Sequence, residues 1–204
     1  MRPLLLLCVL VSTLAQAQQS STSSSGADSQ GKRPSVVELA SQKVTIPTAR
    51  IPLRTLQGKD VRLGDHGAKV VVVSLWSTIH PDHSFLGVLE QLHQGYKGRK
   101  DVAILAINVD LPQNEEDLEV LRGIIREQGV TYPALQDKEL KLMALVNEKL
   151  NSGAGERNSF LTPPFLIFTR KFEQMEWPEW QESLTGADLV KELRQKVEQA
   201  RKRK

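Results

Sequence analysis

Cysteine is almost missing from this sequence. Among its 204 residues there is one cysteine, Cys8. A disulfide within one chain needs two, so an intramolecular bridge, dithiol exchange and a multi-cysteine metal site are all excluded. Cys8 itself sits inside the opening "MRPLLLLCVLVSTLAQAQ". That stretch has the layout of a secretory signal: Arg2 gives the positive start, Leu4 to Leu14 the apolar run, and Ala15-Gln16-Ala17 the small-x-small cleavage pattern. The run falls short of the about 20 residues that usually span a bilayer, which favours a cleaved signal over residues 1–17 rather than a signal anchor. The mature chain, beginning near Gln18, would then hold no cysteine, and a thiolate nucleophile goes too. Export would carry it to a compartment where disulfides are possible, and it could form none.

Other things are scarce. No later stretch is long and apolar enough to cross a membrane, and no internal repeat is visible. Charge is nearly balanced, at +3 overall and +2 once Arg2 is removed. The basic tail "RKRK" at 201–204 reads as a solvated helix end, because no second basic patch or interleaved aromatics accompany it. Nucleic acid is therefore not an expected partner. Residues 18–34, "QQSSTSSSGADSQGKRP", lack the apolar side chains needed to offset chain entropy and read as a disordered leader. Residues 35–204 are enough for one domain.

Within that domain, strand and helix patterns alternate. "IPLRTLQGKDVRLGD" alternates apolar and polar residues around Gln57-Gly58-Lys59 and predicts an N-terminal hairpin. "KVVVVSLW" is a continuous β-branched run, the mark of a strand covered on both faces. Phe85, Val88, Leu89 and Leu92 follow at helical spacing, with His93 at the far end of that helix as a surface residue. "VAILAINVD" is a second buried strand. "NEEDLEVLRGIIREQG" reads as a helix with Asn114 as its cap, acidic residues in its first turn and Gly129 beyond its end. "TYPAL" predicts a short strand, "DKELKLMALVNEKL" a helix, "FLTPPFLIFTR" a third buried strand and "EQMEWPEWQES" a strand or turn. An amphipathic helix over 187–200, with Leu189, Val190, Leu193 and Val197 on one side, closes the chain. Strands separated by helices predict an α/β fold with helices on both faces of a central sheet.

The order of these pieces resembles the thioredoxin-like superfamily, specifically the exported TlpA/ResA-like thiol–disulfide reductases. "LQGKDVRLGD", "KVVVVSLWST", "ILAINVD", "YPALQD" and "PPFLIF" carry the resemblance, across roughly residues 44 to 200. It implies a thioredoxin-like fold with a central mixed β-sheet and an N-terminal β-hairpin extension. The family has a Cys-Pro-x-Cys type centre after the tryptophan. Here His80 falls on the first cysteine, Pro81 and Asp82 on the intervening pair, and His83 on the second. Pro163 matches the cis-proline that faces the dithiol. Both redox positions depart, so the resemblance implies architecture and not activity.

What such a site could do has several readings. In the parent chemistry the helix start stabilises a thiolate; an imidazolium gains nothing there, since the positive helix end repels a cation. The reading preferred here is a pseudo-oxidoreductase that binds a protein or peptide partner at the former active-site face, formed by Trp76, His80, Pro81, Asp82, His83 and Pro163. Trp177 and Trp180 in "EWPEW" either add aromatic anchors to it or pack on the sheet edge. A second reading is copper or zinc held by His80 and His83, one helical turn apart, with Asp82 or His66 as a further ligand. A third is a divergent enzyme with a histidine as general base, with Ser84 and Thr78 more naturally read as helix caps. The bland alternative is drift at an exposed turn.

Overall fold

Strand β3 (Val70–Trp76) is buried at all seven of its positions, as its unbroken apolar run requires. In this computed structural model, residues 38–39, 41, 43–79, 82–152, 165–169, 172, 174–176 and 186–202 are described. All of them belong to one unit, Pro34–Lys204. The leader and the signal expected before it lie outside these residues, as do His80, Pro81, Pro163, Trp177 and Trp180.

Before β3 come β1 (Pro52–Thr55) and β2 (Asp60–Arg62). After it come α1 (Ser84–Tyr96), β4 (Val102–Asn108), α2 (Glu115–Glu127), β5 (Ala134–Gln136) and α3 (Lys141–Ser152). The chain ends with β6 (Leu166–Thr169), β7 (Gln174–Glu176) and α4 (Gly186–Lys202). The strands form one seven-stranded sheet in the order β2-β1-β5-β4-β3-β6-β7. Strands β3, β4 and β5 are parallel, and the others join antiparallel, which makes the sheet mixed. Between β1 and β2 the chain reverses through Gly58 at φ 87°, a left-handed conformation that glycine adopts without a Cβ penalty.

Period-two alternation along β3 divides the interior. Val70, Val72 and Trp76 face one core with Leu86, Leu89 and Leu92 of α1 and Leu189, Leu193 and Val197 of α4. Val71, Val73 and Leu75 face the other, with Ile51, Leu53, Leu135 and Val146. Helices therefore cover both faces, as the alternating pattern predicts. The tail of α1 is tied to α4 by the Tyr96 hydroxyl, which donates to Glu198 Oε1 at 2.9 Å. Helix α2 starts as expected: Asn114 Oδ1 accepts the Asp117 N–H at 2.8 Å, and three acidic residues fill the first turn.

Helix α3 begins later than its apolar pattern suggests, because Asp137 stays outside it as a cap. The Asp137 carboxylate accepts the N–H groups of Lys141 and Met143, each at 2.9 Å. Burial raises its pKa to about 6, against the pull of those N–H groups. The folded state thus binds a proton that the unfolded chain releases between about pH 4 and pH 6, so this residue's contribution to stability falls as pH rises through that window. Between pH 4 and pH 7 the wild-type protein should lose on the order of 2–3 kcal/mol relative to Asp137→Asn, measured by urea denaturation at each pH. Parallel pH profiles for the two proteins would refute this.

Candidate functional site

The site grows from the shared ending of two parallel strands. Trp76 closes β3 opposite Asn108 of β4, so the residues that follow each strand emerge side by side. Trp76 is buried, at 2% exposure, and its carbonyl takes the Val109 N–H at 2.9 Å and the Asn108 Nδ2–H at 3.3 Å. Asp110 then overhangs the turn that leaves β3. Its Oδ1 accepts the Ser77 hydroxyl at 2.5 Å, and its Oδ2 accepts the Thr78 N–H at 2.8 Å and the Asn108 amide at 3.0 Å. The Asp110 N–H returns a bond to Asn108 Oδ1 at 3.1 Å. Ser77 Oγ also accepts the Ile79 N–H at 3.2 Å. A carboxylate with three donors, part-buried, holds a turn far more firmly than water would.

At the tip of that turn Ile79 is 87% exposed, the most exposed large apolar side chain among the described residues. Beyond it, His83 is the residue before α1. Its ring does not cap the helix; it turns inward, with Nε2 3.1 Å from the Ser77 carbonyl. A carbonyl only accepts, so Nε2 carries the hydrogen, and in the neutral ring Nδ1 keeps the lone pair. The same ring stands edge-on to Trp76, with centroids 5.9 Å apart and planes at 88°. The helix start is served by Asp82, whose Oδ1 accepts the Ser84 N–H at 2.8 Å; this bond, with the Ser84 hydroxyl, lowers the Asp82 pKa.

Several expectations change here. Neither Ser84 nor Thr78 caps the helix: the Ser84 N–H goes to Asp82 and the Thr78 N–H to Asp110. Helix α1 begins at Ser84, so His83 lies before it, and His80 lies outside the described residues. His66 is not brought to the site. It lines a cavity with residues 102–105, at the beginning of β4, whereas Trp76 pairs with Asn108 at its end. Strand rise puts these ends roughly 10–20 Å apart, too far for a shared metal. Burial lowers the His66 pKa. His93 is half-buried rather than a surface residue, with its ring 5.8 Å from that of Tyr132. Among the described residues, no group of three or more His, Cys, Asp or Glu side chains could hold a metal ion. The Asp110 clamp was missed from sequence, although "INVD" beside "LWST" on neighbouring parallel strands is the signal that could have found it.

Two variants test the clamp. Asp110→Ala leaves the Ser77 hydroxyl, the Thr78 N–H and the Asn108 amide without their acceptor, and should cost about 1–3 kcal/mol in urea denaturation. Asp110→Asn keeps one acceptor oxygen and should lose about half as much. Equal stability of Asp110→Ala and wild type would mean that the carboxylate does not hold the turn.

No protein-family model and no curated protein matches this chain. Solved structures do. A secreted Mycobacterium tuberculosis disulfide oxidoreductase homologous to Escherichia coli DsbE is 12% identical, with a TM-score of 0.50 over 74% of this chain and 97% of that one. DsbF of the same bacterium is 15% identical, with a TM-score of 0.50 over 76% of this chain and 98% of its own. A hypothetical protein from Sinorhizobium meliloti is 19% identical, with a TM-score of 0.53 over 79% of this chain and 86% of its own. At such identities the likeness concerns fold, and the fold of this chain is the thioredoxin-like one found in thiol–disulfide oxidoreductases.

Proposed function

We propose that this protein is an exported pseudo-oxidoreductase that binds a protein or peptide partner at the face where the family resemblance would place a dithiol. One observation carries the reading. The turn after β3 is pinned by Asp110 and by the inward-facing His83, yet it presents Ile79 to solvent at 87% exposure. A rigid support that offers an apolar side chain is what a binding surface needs, since little entropy is lost when a partner covers it. With one cysteine in the whole chain, that support has no intramolecular dithiol to serve. The face would comprise Ile79, His80, Pro81, Asp82, His83 and Pro163; Trp76, expected there from the sequence, is buried and supports the face through its edge contact with His83. Export is part of the proposal, and is supported by the signal-like opening and by a fold neighbour described as secreted. No helix among the described residues is long and apolar enough to cross a membrane.

A photoreactive residue placed at position 79 in the full chain tests this directly. In the native host it should yield a discrete crosslinked adduct that His83→Ala or Pro163→Ala weakens, whereas the same probe at Lys59 should not. No adduct at position 79, or one unaffected by both changes, would overturn the proposal. Reduction of insulin disulfides by the mature chain would contradict its non-redox part.

A second reading has one specific support. A metal-bound histidine commonly donates its other ring N–H to a backbone carbonyl, and His83 Nε2 is so engaged with Ser77. His83 Nδ1 with His80 would then form the protein side of a copper or zinc site. Equilibrium dialysis against either ion should give about one bound metal per chain, lost in His83→Ala. Equal metal retention by wild type and His83→Ala would refute this reading.

A further inference from the structure

Strand β4 pairs along its whole length with β3, but with β5 only over its last three residues, Ala106, Ile107 and Asn108. The Ala106 N–H donates to the Pro133 carbonyl at 3.0 Å and the Asn108 carbonyl accepts the Asp137 N–H at 2.9 Å. Even-numbered residues of β4 therefore turn their backbone groups toward β5, and alternation places those of Val102 and Ile104 on the same edge. A parallel neighbour would answer the Ile104 carbonyl with the N–H of residue 133, which is a proline and has none. One step further back, Thr131 is diverted to α1, where its N–H and hydroxyl both donate to Glu90, at 2.7 and 2.8 Å. The ladder stops there. Among the described residues, no hydrogen bond reaches the Val102 or Ile104 backbone on this edge.

A cavity of about 120 Å³ runs along the unpaired stretch. His66, His93, Tyr96, Lys97 and Arg99 line it together with Val102–Leu105. The His66 Nε2 atom is buried and has no hydrogen-bond partner among the described residues. No carboxylate lines the space; every ionisable lining group is a cation, an imidazole or a phenol. Lys97 makes no ion pair with a described residue.

We propose that this half-edge of β4 takes a short extended peptide segment bearing a carboxylate side chain, added as a strand beside Val102–Leu105 in line with β5. Its backbone would satisfy Val102 and Ile104 and its acid group would meet Lys97 and the imidazoles, as strand addition with charge complementarity requires. The surface lies at the opposite end of β4 from Asn108 and Asp110, and does not depend on the function proposed for the turn after β3.

The test is a titration of the isotope-labelled full chain with two blocked pentapeptides, Glu-Val-Thr-Val-Glu and Lys-Val-Thr-Val-Lys, followed by NMR. The acidic peptide should shift the Val102 and Ile104 amide signals and the His66 and His93 ring signals, and slow amide exchange at Ile104. The exposed double change Lys97→Glu/Arg99→Glu should weaken it about tenfold, while His83 signals stay still. The proposal fails if millimolar acidic peptide leaves Ile104 unmoved, or if the lysine peptide binds equally well. It also fails if sodium acetate alone reproduces the shifts, which would assign the cavity to free carboxylates, or if the shifts follow protein concentration, which would assign the edge to a second copy.

Discussion

A single carboxylate organises the turn that follows β3. Asp110 follows β4, and the parallel register between β3 and β4 brings it over the turn that follows β3. Its two oxygens collect a hydroxyl, a backbone N–H and a side-chain amide, and these three bonds fix where Ser77, Thr78 and Ile79 can go. Everything downstream inherits that placement. The Ser77 carbonyl is aimed so that His83 can donate to it, and the His83 ring is thereby set against Trp76. Loss of the register would scatter the site even if every side chain were retained.

None of these interactions involves sulfur. The turn is supported from beneath by carboxylate, amide and indole, so its shape does not need a dithiol. That independence is compatible with a histidine, and no cysteine, at position 83. The same support holds the apolar tip of the turn out in solvent, which is the feature that the proposed recognition role would use.

Much of the fold was legible in the sequence because it is local. The valine run of β3 can only be a strand covered on both sides, and Asn114 with three following acids announces the start of α2. Helix α4 is similarly plain from Leu189, Val190, Leu193 and Val197, all buried as the pattern requires. The site was less legible because it is assembled across strands. Asp110 and Ser77 are far apart in sequence, and only the register of two parallel strands joins them. His66 misled for the opposite reason: closeness to β3 in sequence placed it at the strand's beginning, while the site lies at its end. His93 was half-hidden by Tyr132, a contact that helical periodicity cannot reveal. The β5 boundary shows local and tertiary terms competing, since Pro133 stops the ladder where the apolar pattern of "TYPAL" would have continued it.

The central claim is that Asp110 holds the turn after β3 in one shape without help from sulfur. Thr78 reports on it most directly, because its side is exposed and its N–H is bonded to Asp110 Oδ2. Native-state hydrogen exchange of the unmodified protein, read at the Thr78 amide, should show protection that disappears in Asp110→Ala. Exchange at the rate of an unprotected amide in the unmodified protein would contradict the account.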